Sequence, residues 1–176
     1  MNLIVGLGNP GDRYKNNRHN TGFIILDAFA EAQGAIWQGS KKTLAETAVL
    51  QEMGVTLAKP QTYMNKSGEA VKRLLDYLGI SIENVLVVHD DVDLEPLQFK
   101  SATDSSSAGH KGVQDIIDKL NTQRFNRLRV GVGRPGFVAG MLGKTVEKYV
   151  LEDFPDDQLE NVKKLGIEHL LSSLSV

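Results

Sequence analysis

Leu3-Ile4-Val5-Gly6-Leu7-Gly8-Asn9-Pro10-Gly11 decides how this chain is read. Leu3 to Val5 is a short apolar run of the kind that forms a strand covered on both faces. Gly6, Gly8 and Gly11 have the G-x-G-x-x-G spacing of a dinucleotide-binding turn. That motif needs a helix to open inside it and turn its amide end to a pyrophosphate. Here Pro10 and the polar stretch Asp12 to Asn17 intervene, and helical spacing begins only near Asn20. The acidic residue expected about 20 positions on, at the end of a second strand, is also missing. Asp27 and Glu31 fall inside the helical pattern instead. The glycines make a turn that presents Asn9, and the following loop returns with His19. That is the layout of an active site rather than a cofactor cradle.

Outward from this stretch, strands are predicted near 2–7, 44–51, 54–59, 84–89, 96–101 and 127–133. Phe23, Leu26 and Ala30, flanked by Ile25 and Phe29, form a broad helical stripe. Val71, Leu74, Leu75 and Leu78 form a second, and Val113, Ile116, Ile117 and Leu120 a third. A last helix over 155–174 is opened by Pro155 and followed by Leu159, Val162, Leu170 and Leu174. Glu52-Met53-Gly54 joins two strands as a hairpin, so the sheet is mixed. The expected fold is α/β: one three-layer α/β/α domain over 1–176, with a twisted mixed sheet.

Bulk composition narrows the function. The 176 residues, 41% of them hydrophobic, suit one globular domain with a sizeable core. No cysteine is present, which excludes disulfides, thiolate metal sites and a thiol nucleophile. Met1-Asn2-Leu3-Ile4 has no basic leader, and no apolar stretch reaches membrane length, so a cytoplasmic protein is expected. Net charge is -2, so a nucleic-acid partner has to be held by a local basic patch.

Ligands of open α/β sheets collect beyond the carboxyl ends of the strands. Asn9 and His19 follow the first strand, Asn65 follows 54–59, and His89-Asp90-Asp91 ends the run Val85 to Val88. A histidine, a carboxylate and two amides there are the parts of a water-activating hydrolase: a base, its orienting partner and a grip on the carbonyl. No G-x-S-x-G elbow is present, which speaks against a serine nucleophile. Each element also has a plainer reading. Asn9 and Asn20 suit turns and caps, and Asn20 is assigned mainly to opening the helix. His89-Asp90-Asp91-Val92-Asp93 has hard-metal donors, but no second cluster completes a shell, and a solvated acidic loop is the expectation. His169 is assigned to helix surface or core.

Ala108-Gly109-His110-Lys111-Gly112 before a helix is either an anion site at the helix N-terminus or a flexible loop. Arg124, Arg127, Arg129 and Arg134 crowd one strand, with Arg127 and Arg129 on the same face, a patch suited to phosphates or to solvent. Gly143-Lys144-Thr145 resembles the end of a P-loop, but the first glycine it needs is Val138, and it is discarded. Gly136, Gly140 and Gly143 suit hinges of a flap over the cleft.

With these residues placed, the chain resembles the bacterial-type peptidyl-tRNA hydrolases along nearly its whole length. G-L-G-N-P-G with Tyr14 and the Arg18 to Gly22 block match the family's N-terminal signature. Lys59-Pro60-Gln61-Thr62-Tyr63-Met64-Asn65 with Ser67-Gly68 matches K-P-x-T-[FY]-M-N-x-S-G. His89 to Leu94 matches H-D-[DE]-x-D-L, and Arg127 to Pro135 matches R-[LI]-R-[IV]-G-[IV]-G-[RH]-P. Tyr149-Val150-Leu151 with Phe154 matches Y-V-L-x-x-F.

The resemblance implies cleavage of the ester between peptide and tRNA, with peptidyl-tRNA as partner, no cofactor, no metal and a monomeric enzyme. It implies His19 as general base and Asp90 as its orienting partner. Asn9, Tyr14, Met64 and Asn65 would bind substrate, and Lys100 and Arg129 would meet tRNA. One departure stands out. The family usually has G-H-N-G where this chain has Gly109-His110-Lys111-Gly112, so Lys111 replaces an amide taken to position substrate and suits a phosphate instead. The basic segment is also thinner, with Lys100 but Ala102 where another basic residue is common. Two other readings compete. One is a non-catalytic RNA-binding member, since the family resembles plant organellar splicing factors. The other is a different hydrolase on a related architecture, a nucleoside phosphorylase or a metal-dependent peptidase.

Overall fold

The computed structural model describes residues 3–136 and 145–174. In chain order, β1 (Leu3–Gly6) leads through short 3-10 turns into α1 (Thr21–Ala32), followed by β2 (Gln38–Ser40), β3 (Ala45–Leu50) and β4 (Val55–Pro60). Then come α2 (Ser67–Leu78), β5 (Val85–Asp91), β6 (Phe99–Ala102), α3 (Lys111–Leu120) and β7 (Asn126–Gly131). The short α4 (Val146–Val150) and the long α5 (Asp156–Leu174) complete the described chain. The strands form one mixed sheet in the order β2-β3-β4-β1-β5-β7-β6. β4, β1, β5 and β7 run parallel, while β2, β3 and β6 pair antiparallel at the two sides.

Alternation along the strands divides the core in two. Leu3, Val5 and Leu7 pack with Val71 and Leu74 of α2 and with Val113 and Ile116 of α3. Ile4 turns the other way, against Ile25 and Phe29 of α1 and Val162 and Leu170 of α5. β5 repeats the pattern, Val85 and Val87 to one side and Leu86 and Val88 to the other. The α/β class, the mixed sheet and the hairpin joining β3 to β4 follow the sequence reading.

Three details differ from that reading. β2 pairs with β3, although its residues are largely exposed and carry no apolar alternation. β5 continues through His89 to Asp91, because Asp90 and Asp91 keep pairing with Val130 and Gly131 of β7. The acidic segment is therefore not a solvated loop, since Asp90 and Asp91 are both buried. Asn20 precedes α1 but makes no side-chain cap bond; its side chain has another use, described below.

The glycines near the start serve close packing rather than a phosphate. A Cβ on Gly6 would stand 2.4 Å from the carbonyl oxygen of Gly22. One on Gly22 would stand 2.3 Å from the Leu7 nitrogen and 2.4 Å from the Val88 carbonyl oxygen. α1 thus crosses the end of β1 and the middle of β5 almost backbone to backbone, which places the residues just before it over the carboxyl edge. Among the described residues no helix is long and apolar enough to cross a membrane. Gly140 and Gly143, two of the proposed flap hinges, lie outside the described residues.

Candidate active site

β1 lies centrally, with β4 on one side and β5 on the other, and the loops after these three strands meet at one edge. Asn20 ties the first loop closed: its Oδ1 accepts the Asn9 N–H and its Nδ2 donates to the Asn9 carbonyl, both at 2.9 Å. This pair of hydrogen bonds is what Asn20 makes in place of a cap. Asn9 Oδ1 accepts the Met64 N–H at 2.8 Å, joining the loop after β1 to the loop after β4. With the oxygen so occupied, the amide nitrogen of Asn9 remains to donate into the cleft.

Between Asn9 and Asn20, His19 is carried against β5. Its Nδ1 donates to Asp90, 2.9 Å from Oδ1 and 3.1 Å from Oδ2. That leaves Nε2 as the acceptor nitrogen. Burial alone pushes the His19 imidazole down, but the charge of Asp90 and the hydrogen bond to it outweigh burial and the repulsion of Lys111. The net direction is upward from 6.5. Burial pushes the Asp90 carboxyl up, yet the electrostatic pull of the His19 and His110 imidazoles and the N–H groups they donate hold it well below the usual carboxylate range.

His110 is the residue that sequence reasoning missed. Its Nε2 lies 2.9 Å from Asp90 Oδ1, and its Nδ1 accepts the Val113 N–H at 3.2 Å as the N-cap of α3. One amide of the suspected anion site is thus taken by the side chain beside it. A histidine three residues ahead of an apolar helix stripe, in the place Ser, Thr, Asp or Asn usually fill, was the available signal. His89 packs edge-on to His110, 4.7 Å between ring centres, with Nδ1 donating to the Asp90 carbonyl. Burial pushes His89 down to about 3.

The remaining predicted residues are spread around this centre. His19, Lys111, Glu147 and Val150 lie between two adjoining cavities and line both. One is completed by Asn9, Tyr63, Met64, Asn65 and Leu151; the other runs past Asp90, Asp91, Ser107 to His110 and Arg134. Tyr14 lines neither, its ring lying under the Arg13 guanidinium at 4.5 Å. Lys111 is exposed and stands 4.0 Å from Glu147. Arg129 Nε donates to Asp91 Oδ2 at 2.6 Å, and exposed Lys100 sits opposite Arg129 in the β6–β7 register. Arg127 leaves the expected basic patch: it is buried, donating to the carbonyls of Ser105, Ser106 and Gln123.

Arg18 and Asn17 explain the polar residues ahead of His19. Arg18 donates to the carbonyls of Tyr149 and Glu152 and stacks on the Tyr149 ring, while Asn17 donates to the carbonyl of Leu151 and to Asp153. They fasten the α4 segment beside His19. Among the described residues, His19, Asp90 and His110 alone bring metal-type donors within 4.8 Å of one another. Their donors are spent on each other, because the two nitrogens facing Asp90 carry the hydrogens of its bonds, so no metal is assigned there.

A base on a buried carboxylate, amides from two neighbouring loops and a cleft divided at the base suit attack by water on a carbonyl. The peptidyl-tRNA hydrolase family model matches residues 3–175. The chain belongs to this family. A peptidyl-tRNA hydrolase of Geobacillus kaustophilus is 44% identical over 169 residues, covering 93% of this chain and 86% of the relative. One from Exiguobacterium sibiricum is 48% identical over 136 residues, covering 77% and 74%. The crystal structure of peptidyl-tRNA hydrolase from Acinetobacter baumannii superposes with a TM-score of 0.82 at 30% identity, over 99% of this chain and 92% of that one. The family and fold named by the sequence motifs are those found.

Proposed function

We propose that this chain, acting as a single-domain monomer, hydrolyses the ester joining a peptide's C-terminal carbonyl to the terminal ribose of tRNA. The observation that carries this reading is the His19–Asp90 pair, standing where two cavities adjoin in a member of this family. His19 Nε2 takes a proton from water as the water oxygen bonds to the ester carbonyl carbon. Asp90 stabilises the imidazolium through Nδ1. The Asn9 amide nitrogen, and Asn65 beside it, donate to the carbonyl oxygen as it gains charge. Collapse breaks the bond to the ribose oxygen, which takes the proton back from His19. Free peptide acid and tRNA leave.

Met64, Val150 and Leu151 give the Asn9 side of the cleft its apolar lining, which suits the peptide. The side past Asp90 and Lys111 suits the terminal nucleotide, with Arg129 and Lys100 further along for tRNA phosphates. Each step uses only groups of the chain and water. The test compares peptide release from an N-blocked aminoacyl-tRNA with release from the free one. Release of the blocked substrate only is expected, because a charged α-amine is poorly accommodated where the amides expect a peptide bond. Equal rates on both would indicate a general esterase, and binding without release a non-catalytic RNA-binding protein; either overturns the reading.

A further inference from the structure

The two bonds of His110 determine which of its nitrogens carries hydrogen. Nδ1 accepts the Val113 N–H, so the hydrogen is on Nε2, which donates to Asp90 Oδ1 at 2.9 Å. His19 Nδ1 donates to the same oxygen at 2.9 Å. One carboxylate oxygen thus serves two imidazoles, one on the loop before α1 and the other at the first turn of α3. The rings lie 4.9 Å apart, tilted by 45°.

We propose that His110 is a positioning residue for the base: its Nε2–H holds Asp90 against His19 and tempers the negative charge that the His19 ring faces. The cap bond to Val113 makes this possible, since it fixes the ring's rotation and its tautomer through a backbone group that cannot move without unwinding α3. A donor on a carboxylate stabilises the ionised form and weakens its pull on a neighbouring proton. The other charged groups facing His19 are Asp91 from β5, Lys111 from α3, Glu147 from α4 and Arg134 after β7; His89 reaches it only through the His110 ring. None of these donates to Asp90, so His110 is the group that shares the carboxylate. The inference rests on His19 as base.

Two conservative variants separate the two bonds. In His110→Asn, Oδ1 stands where Nδ1 stands, so the cap is kept and the donor to Asp90 is lost. In His110→Gln, the amide nitrogen stands where Nε2 stands, so the donor is kept and the cap is lost. NMR titration of the His19 ring reads its midpoint directly, and kcat reads the consequence. His110→Asn is expected to unfold at a temperature close to the parent's. Its His19 midpoint should rise by roughly half a pH unit, a part of the 1–3 that an adjacent charge produces. Its kcat near neutral pH should fall roughly three- to tenfold, part of what a positioned base supplies. His110→Gln should keep the parent midpoint and unfold at a lower temperature. An unmoved or lowered midpoint in His110→Asn would overturn the proposal, as would a raised one in His110→Gln. Near-parent turnover in His19→Ala would instead overturn the reading of the base, which keeps the two failures distinct.

Discussion

Asn20 holds Asn9 by both of its main-chain groups, N–H and carbonyl, with two bonds of 2.9 Å that fold the loop between them into a closed unit. His19 lies inside that unit, so the bond pair is expected to fix where its ring stands. Asn20→Ala would strip a buried N–H and a buried carbonyl of their partners. The expected loss is about 2–4 kcal/mol of folding stability, read by denaturant unfolding, with kcat falling more than KM rises. Parent-like stability would contradict the role given to Asn20.

The His19–Asp90 pair predicts a pH profile. Protonated His19 cannot accept a proton from water, so the rate should rise with pH, with a midpoint above 6.5 because the pair raises the imidazole. Asp90→Asn removes the charge that opposes burial and Lys111, so the midpoint should drop below that of the parent. The rate should lose a large part of the roughly 10² to 10⁴-fold that such a base contributes. His19→Ala should abolish turnover with the fold intact. A profile in Asp90→Asn that matches the parent in height and midpoint would make the pair structural.

Lys100 and Arg129 are neighbours in register but not equals. Lys100 is exposed and has no ion pair among the described residues, whereas Arg129 is bonded to buried Asp91. Lys100→Ala should therefore weaken tRNA binding cleanly, lowering the salt slope by about one. Arg129→Ala should lower the slope similarly but also cost stability, since it leaves the Asp91 carboxylate buried without its partner. Binding titrations at several salt concentrations, with thermal unfolding alongside, distinguish the two; unchanged slopes would move the RNA surface elsewhere.

Lys111 stands close enough to His19 to repel a proton on its ring. Lys111→Asn should raise the His19 midpoint and, if the ammonium meets a phosphate, also reduce the salt slope of tRNA binding. The midpoint is read from the pH–rate profile. An unmoved midpoint would mean that Lys111 points away from His19 when substrate is bound.

Much of this was legible in the sequence where hydrophobic spacing does the work. The apolar runs of β1 and β5 and the stripes of α1, α2 and α3 predicted the layers, and the strand-end rule put Asn9, His19, Asn65 and Asp90 together. Edge strand β2 was illegible because Gln38-Gly39-Ser40 buries almost nothing, so its pairing leaves no hydrophobic trace. His110 was hidden for a different reason. Its partners are Asp90, 20 positions away, and the amide of Val113, so these contacts exist only once α3 is docked beside β5. Arg127 looks like any basic surface residue until the loop carrying Ser105 and Ser106 wraps over it.

The close approach at Gly22 makes α1 a lever whose fulcrum lies in the core. His19 sits three residues before that contact, where a methyl would stand 2.3 Å from the Leu7 nitrogen. Gly22→Ala would have to lift the start of the helix from the sheet, and the base would travel with it. Misplacement of a catalytic group by about 1 Å can cost on the order of 10²-fold in rate. The missing side chain of Gly22 is thus expected to set where His19 stands over the sheet.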